Sequence, residues 1–172
     1  MSPFQRTSEA PPPREPATLT PWSAAARLAP PARADRSRVL PEDRDFLAMH
    51  AAYRASGGLA RGDDLARLFE DRRCGDFVSL ARLIATGEIF SFDWHRSFWV
   101  PMFQFELRDL SIKPAPRQVL AELARAFDGW ALAIWFARPN SCLNAHRPVD
   151  LLDSNLPAVL DAARTDRFVA LG

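Results

Sequence analysis

Proline sets the strongest limits on how this chain can fold. Nine of its fifteen prolines fall within residues 1–41, with the densest runs at 11–13 and 30–31. Each proline lacks a backbone donor and pushes the preceding residue out of the helical region. The apolar content of this segment is mostly alanine, which buries little surface. We therefore predict a disordered arm over residues 1–41 and an ordered fold over the remainder.

The segment 42–113 begins with helical periodicity. Acidic residues after Pro41 favour the positive end of a helix dipole. Gly57, Gly75 and Gly87 each interrupt a run of apolar residues at helical spacing. We therefore predict three helices, over about 42–57, 63–73 and 76–86.

The periodicity then changes to that of a strand. In the segment 88–94, three aromatic residues alternate with polar ones, which is typical of a half-buried strand. A turn at 95–97 leads into a second strand over 98–100, so the sequence predicts an aromatic β-hairpin. Rings that stack on nucleic-acid bases are exposed beside positive charge, whereas rings in this alternation pack inward. We expect these rings to lie in the core.

Residues 114–172 are predicted to form a small helical bundle. Proline is tolerated in the first turn of a helix, where its missing N–H has no intrahelical partner. We predict a helix from Pro114, a second over 130–137, and short helical pieces that start at Pro139, Pro148 and Pro157. The fold class is mainly α, with this C-terminal bundle preceded by the helices and aromatic hairpin of residues 42–113.

Two short helices joined at Gly75 and followed by a hairpin look like a winged helix-turn-helix, whose second helix enters a DNA groove. The candidate nucleic-acid contacts are Arg72, Arg73, Arg82 and, at the hairpin tip, Arg96. From Gly57 to Pro114, however, eight basic and nine acidic residues give a net charge of −1. DNA-binding domains normally carry a basic surplus. DNA contact and a structural or dimerising role both remain open.

Composition narrows the function classes further. The net charge of +1 gives no global attraction to nucleic acid or to an anionic membrane, and no apolar run is long enough to span one. Cys142 and His146 lie four residues apart, but no second pair completes a metal site, so no metal or cofactor is expected. Nucleophile motifs and phosphate loops are absent, and acids such as Asp150 fit a helix start. The sequence predicts a binding protein that is not an enzyme.

The cysteines and basic residues indicate where such a protein resides. Cys74 and Cys142 are isolated thiols, which fit a reducing cytoplasm, and no signal peptide is recognisable. Lys113 is the only lysine among 22 basic residues, a skew that is typical of GC-rich coding. We expect a bacterial, cytoplasmic protein.

A resemblance to a known family is carried by three motifs in the last third of the chain. They are Trp135-Phe136-x-x-Pro139-Asn140-x-x-Leu143, Arg147-Pro148-x-x-Leu151-Leu152 and a closing Ala162-Ala163-Arg164. Their spacing resembles the toxin-binding domain of Xre/MbcA/ParS-type antitoxins over about Pro116–Gly172. The family usually has glycine where this chain has Ala145, so a positive φ there would strain the alanine unless Asn144 takes up the turn.

The resemblance implies a function. Such a domain binds a cognate toxin, commonly one with a RES fold that destroys NAD⁺, and covers the toxin's active-site cleft with its last helices. Carried onto this chain, the implied contacts are Asp150, Leu151, Asn155, Arg164, Arg167, Phe168 and Leu171. The N-terminal part would form a homodimer or bind promoter DNA. The alternatives are a DNA-binding transcriptional regulator and an orphan oligomerising protein without a toxin partner.

Overall fold

The structure is a computed structural model that describes residues 43–172. The arm predicted over residues 1–41 lies outside the described residues. Within the described part, helices dominate and one small three-stranded antiparallel sheet is present, which confirms the predicted fold class.

The first half of the described chain has the order of elements found in a winged helix. In chain order it comprises α1 (Asp43–Tyr53), β1 (Leu59–Arg61), α2 (Gly62–Asp71), α3 (Phe77–Ala85), β2 (Phe92–Trp94) and β3 (Ser97–Pro101). Strand β3 lies between β1 and β2 and is antiparallel to both, with Ala60 opposite Val100 and Asp93 opposite Phe98. His95 and Arg96 both have positive φ, as a tight hairpin turn requires. The predicted hairpin is therefore confirmed, although its first strand covers only Phe92–Trp94 of the predicted 88–94. Strand β1 is an element that the sequence prediction missed.

The second half is helical, with bounds that differ in part from those predicted. It comprises α4 (Pro114–Leu123), α5 (Gly129–Ala137), the short α6 (Pro148–Leu151) and α7 (Leu156–Leu171). The short helical piece predicted from Pro139 is a 3-10 helix over Ser141–Leu143, which begins two residues later because Asn140 is extended. The piece predicted to be short at Pro157 is a continuous helix of 16 residues, since no helix-breaking residue follows that proline until Gly172.

Polar residues immediately before three helices explain where those helices begin. The carboxylate of Asp76 accepts hydrogen bonds from the backbone N–H and the hydroxyl of Ser79, both at 2.8 Å, and these bonds lower the pKa of Asp76. Asp128 caps α5 in the same way through the N–H of Ala131 at 2.8 Å. Asn155 accepts from Ala158 at the start of α7. Each cap satisfies an N–H that has no partner inside the helix.

The main core joins both halves of the described chain. Phe46 of α1 stacks on Trp94 of the hairpin with 3.6 Å between ring centroids, and Phe90 stacks on Phe136 of α5 at 5.8 Å. Phe92 is buried in the same core, together with apolar side chains of α4 and α7. The expectation that the hairpin rings lie in the core is therefore confirmed. Residues on both sides of the predicted boundary at 113/114 share this core.

The side-chain amide of Gln104 links the hairpin to the loop that precedes it. Gln104 is 2% exposed, and its oxygen accepts from the N–H of Phe90 at 2.8 Å. Its amide nitrogen donates to the carbonyl oxygens of Phe90 and Pro101, both at 3.0 Å. The backbone oxygen of Gln104 accepts from Lys113 at 2.8 Å, which fixes the entry to α4.

We expect Gln104→Leu to lower the free energy of unfolding by about 3 kcal/mol, because it leaves several buried backbone groups without a partner. Urea denaturation followed by circular dichroism measures this change. The matched control is Gln118→Leu, the same substitution at an exposed position of α4, which should change the unfolding free energy by less than about 0.5 kcal/mol. Equal effects of the two variants would show that the Gln104 amide stabilises nothing.

Candidate partner-binding site

The Trp135 and Asn140 motif positions fix the last helix instead of facing outward. The indole N–H of Trp135 and the side-chain amide of Asn140 both donate to the same carboxylate oxygen of Asp166 on α7, each at 2.7 Å. The amide oxygen of Asn140 also accepts from the N–H of Cys142 at 2.8 Å, so this side chain caps the 3-10 helix that begins at Ser141. These contacts attach α7 to the end of α5.

The Arg147 motif is built around an ion pair within the chain. Arg147 binds Asp150 through two bonds, Nε to Oδ2 at 2.6 Å and Nη2 to Oδ1 at 3.0 Å. Its Nη1 also donates to the carbonyl oxygen of Ala52 at 3.4 Å, so it bridges α6 and α1. Leu152 is buried and Leu151 is half-buried against the main core. Of the implied contacts, Asp150 is therefore already paired, and Leu151 is only partly accessible.

Arg164 and Arg167 share a single acceptor on α4. Both guanidinium groups bind the carboxylate of Glu122, Arg164 from Nε at 3.1 Å, and Arg164 also reaches Asp161 at 3.0 Å. The hydrogen bond and charge of Glu122 raise the pKa of Arg164 above its usual value. The two arginines thus connect α7 to α4 in the free protein, while Asn155 serves as the cap of α7.

The last turn of α7 differs from the rest of the helix because its apolar side chains face solvent. Val159, Ala162 and Ala163 are buried in the first part of the helix. Phe168 and Leu171 are 76% and 61% exposed. Val169, which lies between them in the sequence, is 73% exposed. Apolar residues at helical spacing are ordinarily assigned to a core stripe, so no sequence signal distinguishes this end from the buried part.

The chain forms a tight turn at the position where the antitoxins that its motifs resemble usually have glycine. Asn144 and Ala145 both have positive φ, at 52° and 62°. The N–H groups of Ala145 and His146 donate to the carbonyl oxygens of Asn140 and Leu143, each at 3.0 Å. Alanine therefore occupies a conformation that favours glycine, and Asn144 takes only part of the turn.

The four arginines that the sequence suggests for DNA contact lie on different elements and differ in their hydrogen bonds. Arg72 donates to the carbonyl oxygen of Arg108 at 2.8 Å, and Arg73 has a positive φ in the turn between α2 and α3. Arg82 lies on α3, and Arg96 is exposed at the hairpin tip. The exposed face of α3 is otherwise apolar, formed by Phe77, Val78, Ala81 and Ala85. This is the helix that would enter a DNA groove in a winged helix-turn-helix.

Residues 43–172 contain neither a metal-binding cluster nor a membrane-spanning helix. No group of three or more histidine, cysteine, aspartate or glutamate side chains among these residues is arranged to hold a metal ion. None of the helices in this range has both the length and the apolar character needed to cross a bilayer.

The hydroxyl of Tyr53 is fully buried and donates to the carbonyl oxygen of Ala133, and burial raises its pKa well above the usual value.

The chain matches no protein-family model, no curated protein and no solved structure. The resemblance to antitoxins therefore depends on the three motifs between Trp135 and Arg164.

We expect Asp166→Ala to lower the free energy of unfolding by about 2 kcal/mol, because Trp135 and Asn140 lose a shared charged acceptor. Asp161→Ala is the matched control on the same helix, since it removes only an exposed pair with Arg164 and such pairs contribute less than about 1 kcal/mol. Thermal and urea unfolding report both changes. A loss no larger than that of the control would contradict an anchoring role for Asp166.

Proposed function

We propose that this protein is an antitoxin-like binding protein that neutralises a cognate toxin by inserting the C-terminal end of α7 into the toxin's active-site cleft. The observation that carries the proposal is the apolar surface formed by Phe168, Val169 and Leu171 on a helix end. Contiguous exposed apolar side chains mark protein–protein contacts. The same end of the chain is the part that the family resemblance assigns to toxin binding.

The anchoring of α7 supports a preformed contact. The first part of α7 is buried, and Asp166, Arg164 and Arg167 bind partners on other elements. A helix end held in this way loses little conformational entropy on binding, which favours affinity. Because the two arginines already neutralise Glu122, we assign the binding energy to the apolar side chains and inhibition to steric exclusion of substrate.

The identity of the partner follows from the resemblance alone. It implies a RES-type toxin that degrades NAD⁺ in the bacterial cytoplasm, where this protein would also reside. Co-expression with a RES-domain protein encoded beside this gene tests that identity, with cellular NAD⁺ as the readout. Restored NAD⁺ would support the proposal, and continued depletion in the presence of the folded chain would reject it.

We expect Phe168→Ala to weaken binding of the toxin several-fold or more, because interface energy concentrates in a few aromatic anchors. The variant should unfold at the same denaturant concentration as the wild type, since Phe168 is exposed. A point variant is preferable to a truncation of α7, which would remove the buried Val159. Calorimetric titration with the purified toxin gives the affinity.

The control for this titration is Leu47→Ala, which removes a similarly exposed apolar side chain, 66% exposed, from α1. It should leave the affinity unchanged. Equal affinity of Phe168→Ala and wild type would reject the end of α7 as the contact.

The second candidate function is a DNA-binding transcriptional regulator, which the winged-helix order of elements favours. The apolar face of α3 and the acid-balanced charge of this half weigh against it. Binding to the DNA upstream of the gene that weakens steeply with salt, and that Arg82→Ala and Arg96→Ala abolish, would support a regulator.

We assign the expected homodimer to the exposed face of α3. Val78, 71% exposed, lies two helical turns from Ala85. If two copies of α3 pack antiparallel, Val78 of each copy therefore lies against the smaller Ala85 of the other. A helix of nine residues is only about 13 Å long, so we expect a dimer that dissociates on dilution.

We expect Val78→Asp to convert the dimer into a monomer, because a carboxylate buried in an apolar contact carries a large desolvation cost. Light scattering coupled to size-exclusion chromatography measures the mass of each variant. Leu47→Asp, the same kind of change on α1, should leave the dimer intact. A wild-type chain that is monomeric at all concentrations would remove this assignment.

A further inference from the structure

A cleft lies on the surface between the winged-helix half and the C-terminal helices. Its volume is about 340 Å³. It is lined by the segment after α1, by residues 103–107, by Lys113 and Pro116 at the start of α4, and by α6 with the residues that follow it. This volume lies at the lower end of the range of ligand pockets, which begins at about 300 Å³. No residue of α7 lines the cleft, so it is separate from the apolar helix end described above.

The cleft has an apolar floor. Phe103, Phe105 and Leu152 line it and are nearly fully buried. Such a floor fits the methylene groups of an extended side chain. Their packing against the floor would remove apolar surface from water, which is favourable in proportion to the area covered.

The rim of the cleft is acidic, and one carboxylate lacks a counter-charge. The lining includes the carboxylates of Glu106, Asp150 and Asp153 and the ammonium group of Lys113, which leaves a net charge of −2. Lys113 binds Asp153 at 3.3 Å, and Asp150 is bound by Arg147 from outside the cleft. Among the described residues, the carboxylate of Glu106 makes no ion pair.

The backbone of Glu106 is fixed although its side chain is exposed. Its N–H donates to the carbonyl oxygen of Ser111 and its carbonyl oxygen accepts from Leu110, both at 2.8 Å. The residue before it, Phe105, is buried and packs edge-on against Phe69. The backbone therefore holds the base of the Glu106 side chain beside the apolar floor.

We propose that this cleft binds an arginine side chain of a protein partner, with the guanidinium group paired to Glu106 and the methylene groups on the floor. Arginine fits better than lysine because its planar guanidinium binds a carboxylate through two parallel bonds and is more weakly hydrated. The carboxylate of Glu106, which has no counter-charge at the rim, repels an acidic side chain. The proposal does not depend on toxin binding by α7, so either can fail without the other.

The probe is the peptide acetyl-Gly-Arg-Gly-amide, titrated into the full chain while backbone amide resonances are followed by NMR. We expect saturable shifts at Gly57, Glu106 and Leu107, which line the cleft. The same peptide with citrulline in place of arginine keeps the shape and loses the charge. We expect the citrulline peptide to bind with an affinity at least about tenfold lower, since hydrogen bonds to charged groups are stronger than those between neutral groups.

Glu106→Gln should weaken binding of the arginine peptide to the level of the citrulline peptide. The fold is retained in this variant because only the backbone of Glu106 is bonded within the chain. Glu70→Gln, at an exposed position of α2, is the matched control and should bind as the wild type does. Equal binding of the arginine and citrulline peptides, or an unchanged affinity in Glu106→Gln, would overturn the proposal.

Discussion

The described structure depends on one buried amide. The amide side chain of Gln104 is buried in the core of residues 43–172, and it makes three hydrogen bonds with Phe90 and Pro101. A buried amide is tolerated only when its donors and acceptors are satisfied. Through its backbone it also holds Lys113, where α4 begins. The neighbouring Phe103 and Phe105 form the floor of the cleft, and α4 carries Glu122, which binds the arginines of α7. The cleft and the position of α7 therefore both depend on the hydrogen bonds of Gln104.

Local signals were sufficient for much of the fold. Glycine and proline positions placed the helices, and the alternation around Phe92 placed the hairpin. Strand β1 could not be found in this way, because Leu59–Arg61 is too short to show alternation and forms only by pairing with the distant β3. The full length of α7 was missed because Pro157 suggested another short piece, whereas buried Val159 and Ala163 support a long helix.

The candidate site was predictable in its location but not in its geometry. The motifs pointed to the last third of the chain, and the exposed Phe168 and Leu171 lie there. Arg164 binds Glu122, 42 residues away, and Trp135 binds Asp166, 31 residues away. Such contacts depend on tertiary structure and cannot be predicted from the spacing of apolar residues. The cleft beside Glu106 is lined by four separate stretches of sequence, so no single sequence motif predicts it.

Lys113 gives the cleft an unusual chemical property. It is the only lysine in the sequence, its side chain is 29% exposed, and it binds Asp153 at the rim. Arginine guanidinium groups do not react with amine-directed reagents under mild conditions, so such a reagent finds one side-chain target in the whole chain. A fluorophore attached at Lys113 would sit beside the cleft without any engineered cysteine. The arginine-rich composition thus leaves this surface with a built-in position for a spectroscopic label.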